Sequence, residues 1–141
     1  PLAFQWATLY DHVAMRLKAS GRVAEAADLF DKLSRLYESG PRAENWVGRD
    51  LNQDELIACT RYNALFHRAE CLEQMKNIDE AVQLYKRIAK ECDGRGLTTY
   101  QECDGLGHRG YQDATLRYLD QAAVRRLEAL RTKAPKQGTP E

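Results

Sequence analysis

Three times a short polar turn leads to an alanine followed four residues later by an aromatic. Gly21-Arg-Val-Ala-Glu-Ala26 leads to Phe30, Lys76-Asn-Ile-Asp-Glu-Ala81 to Tyr85, and Arg109-Gly-Tyr-Gln-Asp-Ala114 to Tyr118. Residues four apart on a helix share a face, one turn above the other. Each copy therefore asks for a helix in which a small residue admits a close neighbour and a ring fills the space beside it. The middle copy lies in the strongest pattern of the chain, YNALFHRAECLEQMKNIDEAVQLYKRIAKEC from Tyr62 to Cys92. Leu65, Ala69 and Leu72 stand before its turn at Lys76-Asn77, and Ile78, Ala81, Leu84, Tyr85 and Ile88 after it. Spacing by three and four predicts two helices, each with an apolar face. Such a hairpin buries one face in itself and leaves another to bury on a neighbour.

The step from Ala81 to Ala114 is 33 residues and the step from Ala26 to Ala81 is 55, about one repeat plus an insertion. Upstream of the turns, Tyr10, Val13, Ala14 and Leu17 correspond to Leu65, Arg68, Ala69 and Leu72. In period and helix-turn-helix pattern the chain resembles the tetratricopeptide repeat family, whose units run to about 34 residues. The family carries Trp, Leu, Gly and Tyr at those four places, so the likeness is one of size class. Arg68 departs from it, and a charged head there must snorkel or pair. The resemblance spans about residues 7–133. It implies an all-α fold of antiparallel helix-turn-helix repeats, an α-solenoid, in one domain over 1–133. The units are about 7–40, 62–95 and 96–133, with an insertion at 41–61 and a long C-terminal capping helix.

Size and charge agree with a single domain. At 141 residues the chain can bury about two thirds of its unfolded surface. Its 21 basic and 21 acidic residues argue against generic nucleic-acid binding, which needs a basic excess. No stretch approaches the length of a membrane span, and no signal or transit pattern opens the chain. It begins at Pro1 rather than Met, which reads as a trimmed fragment. Four cysteines in a long helical chain, Cys59, Cys71, Cys92 and Cys103, read as reduced thiols and a cytoplasmic setting rather than a disulfide scaffold.

Taken in order, residues 3–19 form a helix with Phe4, Leu9, Val13 and Leu17 as its buried side, stopped by Ser20-Gly21, since Gly takes a left-handed turn readily. A second helix over 23–38 buries Val23, Ala26, Ala27, Phe30, Leu33 and Leu36, and Gly40-Pro41 ends it. The insertion carries Trp46 in polar surroundings, either packed back on the scaffold or helping to grip a ligand. Asn52 and Glu55 make a capping box for a helix over 53–75. A fourth helix covers 78–91. Five of the nine glycines fall between Gly94 and Gly110, which limits the next helix to about 97–103 or removes it. The last helix runs 111–132, with Leu116, Leu119, Ala123, Leu127 and Leu130 as its seam and Arg117, Arg125, Arg126 and Arg131 on its wet side. The tail, 134–141, has a disordered composition.

Chemistry finds little purchase. Cys92, Cys103 and His108 are weak metal candidates, three ligands where a structural zinc wants four. His67 and Cys71 could chelate along one helix face but lack a second pair. Glu70 and Glu73 are spaced for acid–base work, yet such pairs are ordinary on helical repeats. No phosphate loop, nucleophile elbow or zinc-protease motif occurs. No cofactor is expected, and no enzyme.

What remains is a groove. In tetratricopeptide folds the first helices of the repeats line a concave surface, and the resemblance puts Thr8, Asp11, Met15 and Lys18 there from the first unit and Asn63, Phe66, Glu70 and Glu73 from the second. Phe66 is the expected anchor, since interface energy concentrates in few buried residues. The Lys and Asn clamp of the family's chaperone-tail binders is missing, with Asp11 and Met15 in its place. The expected function is a non-catalytic scaffold for a protein partner, a peptide or amphipathic helix of basic character. The alternatives are a self-associating structural subunit, because repeat ends expose apolar surface, and a metal-dependent regulator or enzyme centred on the Cys/Gly-rich loop 92–108.

Overall fold

Among the described residues, spacing by three and four resolves into five helices. A computed structural model describes residues 2–39, 53–99 and 118–133. The helices are α1 (Leu2–Ala19), α2 (Val23–Ser39), α3 (Gln53–Gln74), α4 (Ile78–Glu91) and α5 (Leu119–Lys133). Among the described residues there is no sheet, only an isolated antiparallel bridge between Thr98 and Tyr118. Helix α4 shows why the elements form where they do. Asp79 and Glu80 stand in its first turn and Lys90 in its last, each sign opposite to the helix-end charge it meets.

The two hairpin turns close by the same bonds. Gly21 N–H donates to the Lys18 carbonyl at 3.1 Å and Arg22 N–H to the Leu17 carbonyl at 2.9 Å. In the second hairpin Lys76 N–H donates to Glu73 at 2.9 Å and Asn77 N–H to Leu72 at 2.8 Å. This pair of bonds, one reaching back three residues and one five, satisfies the last carbonyls of a helix when the turning residue is left-handed. Gly21 has φ +90° and Lys76 φ +67°. The turns thus fix a 55-residue register: Leu17 matches Leu72, Lys18 matches Glu73, and Ala26 matches Ala81.

Packing follows that register. Ala14, Ala26, Phe30 and Leu33 are fully buried, and so are their counterparts Ala69, Ala81, Tyr85 and Ile88. One apolar cluster joins Ala14, Met15, Ala27, Phe30 and Leu33 to Ala64 and Cys71 of α3. A second joins Tyr62, Leu65, Phe66, Ala69 and Leu72 of the same helix to Tyr85 and Ile88 of α4 and to Leu119, Ala122 and Ala123 of α5. Helix α3 therefore belongs to two cores at once, packed on α2 on one side and on α4 and α5 on the other. Helix α5 lies chiefly on α4, as α3 lies on α2, with a smaller edge against α3.

Three expectations need correction. Leu9 and Val13 are exposed, while Ala14 and Met15 face inward. The stripe drawn on α1 was rotated toward its larger residues, when the close approach of α2 demands its small one. The last helix begins at Leu119, not 111, so Tyr118 precedes it and bridges Thr98, with Leu119 N–H donating to the Leu97 carbonyl at 2.8 Å. Tyr118 is therefore no counterpart of Phe30 and Tyr85, which lie inside helices. Of the two readings given for the glycine-rich segment, a helix from 97 is not found at its described start, since Leu97–Thr99 is spent on that junction. Ala114, Leu116, Arg117, the Asn52 cap and the 134–141 tail lie outside the described residues.

Candidate functional site: the row of first helices

Helices α1, α3 and α5 form a row, and its polar contacts were the expected partner surface. Lys18, in the last turn of α1, donates through Nζ to Glu70 Oε1 of α3 at 2.6 Å. Its ammonium is also 3.2 Å from His67 Nδ1, which is 3.0 Å from the same carboxylate oxygen. Neutral Nδ1 can accept from Lys18; protonated, it donates to Glu70. The imidazole is buried and stacks on Phe30, ring centroids 5.4 Å apart, with Phe66 edge-on at 6.0 Å. Enclosure of the Glu70 carboxylate raises its pKa, but bonds and charge from His67 and Lys18 outweigh that and hold it at about 2. The side chain as a whole keeps 24% of its surface.

The second junction repeats the plan with the signs exchanged. Glu73, the register mate of Lys18, pairs with Arg126 of α5: Nε donates to Oε2 at 3.1 Å and Nη2 to Oε1 in a bidentate fork. Tyr85 of α4 donates its hydroxyl to Glu73 Oε2 at 2.5 Å. Burial first, then Glu70 and Glu73, push the Tyr85 phenol far above its ordinary range, so it remains a donor. The bond to Glu73 raises the Arg126 guanidinium in turn. Arg126 therefore belongs to this junction and not to a wet face, because Glu73 reaches it from the neighbouring helix. Arg68, the residue that departs from the family pattern, does pair: its guanidinium lies 4.0 Å from Asp31 of α2 and 3.5 Å from Glu80 of α4.

The predicted groove residues are thus brought together, but mostly as interior. Phe66 is 1% exposed, edge-to-face with Tyr85 at 5.5 Å. Met15 is buried in the α1–α2 core, and Asp11 is buried too. Asn63 is buried, donating through Nδ2 to the Cys59 and Thr98 carbonyls at 2.8 Å each, so it ties the segment after α4 to α3. These four were expected on an open surface. Phe66 and Asn63 are enclosed because α3 packs on α2 on one side and on α4 and α5 on the other, and Met15 because α1 packs on α2. Lys18, Glu70 and Glu73 keep partial exposure, each already holding an opposite charge. His67, read only as a possible chelator with Cys71, and Arg126, read on a wet side, are members of the site that spacing missed; their partners are 49 and 53 residues away and no local pattern names them. Trp46, Cys103 and His108 lie outside the described residues.

Of the Cys/Gly-rich loop 92–108, only residues 92–99 lie within the described residues. Among the described residues no group of three or more His, Cys, Asp and Glu could hold a metal ion. Cys92 is buried behind α4, and burial pushes its thiol up to about 12. Cys59, Cys71 and Cys92 are free thiols. No helix among the described residues is long and apolar enough to cross a membrane.

With two equivalent turns, shared small-residue seats and paired junctions in view, comparison with known families has one result. Residues 63–93 match the tetratricopeptide repeat model. The match falls on the second hairpin, so that part of the chain has a tetratricopeptide-like repeat architecture, and the first hairpin shares its geometry. No curated protein and no solved structure matches the chain.

Proposed function

We propose that this chain is a non-catalytic protein-interaction scaffold that holds a partner peptide or amphipathic helix along the row α1–α3–α5. The observation that carries this reading is the pairing of register mates Lys18 and Glu73 with the next first helix. Those bonds hold successive first helices side by side, which is what a rigid docking strip requires. Free thiols on Cys59, Cys71 and Cys92 favour a reducing, cytoplasmic setting. The basic partner expected from Glu70 and Glu73 loses its motive, because both carboxylates already hold cations. A partner of mixed charge, contacting the polar edge of the row rather than Phe66, fits better. Phe66→Ala is no longer a test of contact: removing a buried ring costs about 3–5 kcal/mol and should lower the melting temperature sharply.

Photocrosslinking tests the assignment. A crosslinking residue at Gln74, exposed at the end of α3, should capture a heterologous partner, and one at Gln83, exposed on α4, should not. Capture from Gln83 alone would move the partner to the other face of the stack and end this reading of the row.

A further inference from the structure

Helix α5 finds its apolar seat on one helix and its polar anchors on another. Its buried residues are Leu119, Ala122 and Ala123, one large side chain and two small ones. Helix α4, of nearly the same length, buries Tyr85 and Ile88 beside Ala81. Leu127 and Leu130 pack against the same cluster but only partly, and Val124 is exposed. A helix of fifteen residues is marginal in water by itself and depends on tertiary contacts to stay folded. The apolar contact available to α5 is thin for that task.

The polar anchors converge on α3. In mid-helix the Arg126 guanidinium forks onto Glu73. At the start of α5, Leu119 N–H donates to the Leu97 carbonyl and Tyr118 bridges Thr98. The Thr98 carbonyl in turn accepts from Asn63 Nδ2 of α3 at 2.8 Å and from Cys59 Sγ at 3.4 Å. A further tie, Gly94 N–H to Asp120 Oδ2 at 3.2 Å, reaches only the exposed segment after α4. The side chains of Arg126 and Glu73 keep 35% and 15% of their surface, so salt can screen the fork. Glu73 also has a partner that does not belong to α5, the Tyr85 hydroxyl of α4.

We infer that α5 opens and closes on α3 and α4 as a unit of its own, with the Arg126–Glu73 fork as its latch. Opening exposes one large apolar side chain of α5 and leaves Glu73 bonded to Tyr85, while the core of α1 to α4 stays packed. The row then has two forms, α1–α3–α5 when closed and α1–α3 when open. The open form uncovers the side of the α3–α4 hairpin that Leu119, Ala122 and Ala123 cover. Such opening is a property of the fold and does not depend on a partner using the row.

Native-state hydrogen exchange on the full chain is the test, because it reads the opening of each element separately. In wild type the mid-helix amides of α5, Ala123 to Leu127, should exchange at least about tenfold faster than those around Ala69 and Tyr85. Raising the salt to about 1 M should speed α5 alone. Arg126→Gln removes the charge and keeps a polar group. It should speed α5 by a further factor of about ten and abolish the salt response, with exchange in α1 to α4 unchanged. Arg126→Lys should fall between the two. Wild-type α5 amides as slow as those of α3 and α4 would overturn the proposal. So would α5 and the other helices accelerating together in Arg126→Gln, since α5 would then belong to one cooperative unit. An Arg126→Gln chain whose α5 exchanges as in wild type would overturn it too, because the fork would be no latch.

Discussion

The junction of α1 with α3 and the junction of α3 with α5 occupy the same place in the stack and use opposite chemistry. In the first, the helix-end cation Lys18 meets the carboxylate of Glu70, with His67 completing the cluster. In the second, the helix-end carboxylate of Glu73 meets the guanidinium of Arg126, with Tyr85 completing it. What is preserved is a charged residue three before the left-handed turn, facing an opposite charge on the next first helix. What is free is the sign. The difference has a consequence: each junction rejects the other's residues. Lys18 could not face Arg126 at close range, so the alternation works against stacking α1 directly on α5, as interface charges exclude wrong neighbours.

The sharpest way to break that comparison is charge reversal. Glu70→Lys places a third cationic or potentially cationic group beside Lys18 and His67, and removing one partner from an enclosed pair costs about 3–5 kcal/mol. Denaturant unfolding should show that loss, and the Lys18→Glu, Glu70→Lys exchange should recover a large share of it. If the exchange recovers nothing while each single change is severe, geometry rather than sign governs the junction.

Acid titration separates the two junctions next. The Glu70 pKa lies at about 2 in the folded chain against an ordinary 4.5. A depressed carboxylate contributes its stability in full above the unfolded value and loses it as pH falls toward the folded one. Between pH 4.5 and 2 the wild type should therefore lose about 2–3 kcal/mol that Glu70→Gln, already without it, does not lose again. Unfolding midpoints measured at several pH values give the slope; equal slopes in both proteins would remove Glu70 as the acid-sensitive group.

Much of this was readable from the residues, and the failures have physical causes. Spacing by three and four located four helices to within a few residues, and Ala26 and Ala81 read correctly as close-approach seats because both pattern and size point one way. Helix α1 misled because Leu9 and Val13 outweigh Ala14 on any apolar count, although the buried face is chosen by how near α2 must come. Phe66 misled for the opposite reason. Its place on α3 suggests an anchor on an open surface, but α3 is flanked on both sides, so what one helix shows as surface the stack encloses. Arg126 and His67 could not be assigned locally, since their partners lie 53 and 49 residues away. Tyr118 followed the repeat in sequence but not in structure, because it bridges Thr98 and the helix begins only at Leu119.

A milder probe asks how much the third member of each cluster contributes. Tyr85→Phe keeps the ring against Phe66 and deletes only the hydroxyl that donates to Glu73. The carboxylate retains its fork to Arg126, so the loss should be about 1.5–3 kcal/mol, that of a hydrogen bond to a charged group. A loss comparable to that of Glu70→Lys would mean that Arg126 is held in place through Tyr85.

The smallest effects lie in the turns, where the hairpins share bonds but not residues. Both turning positions are left-handed, and only Gly takes that conformation without a side-chain penalty. Gly21→Ala should therefore destabilise the first hairpin by about 1 kcal/mol. No atom lies within 4 Å of a Cβ placed there, so the cost is conformational and not a clash. Lys76→Gly reverses the experiment. The left-handed strain of Lys76 is relieved, while glycine's greater freedom in the unfolded chain offsets part of the gain, leaving a net stabilisation of about 0.5 kcal/mol. Chemical denaturation of the two variants side by side should move the midpoints in opposite directions. Movement in the same direction would show that the two turns, despite identical bonding, are not under the same backbone demand.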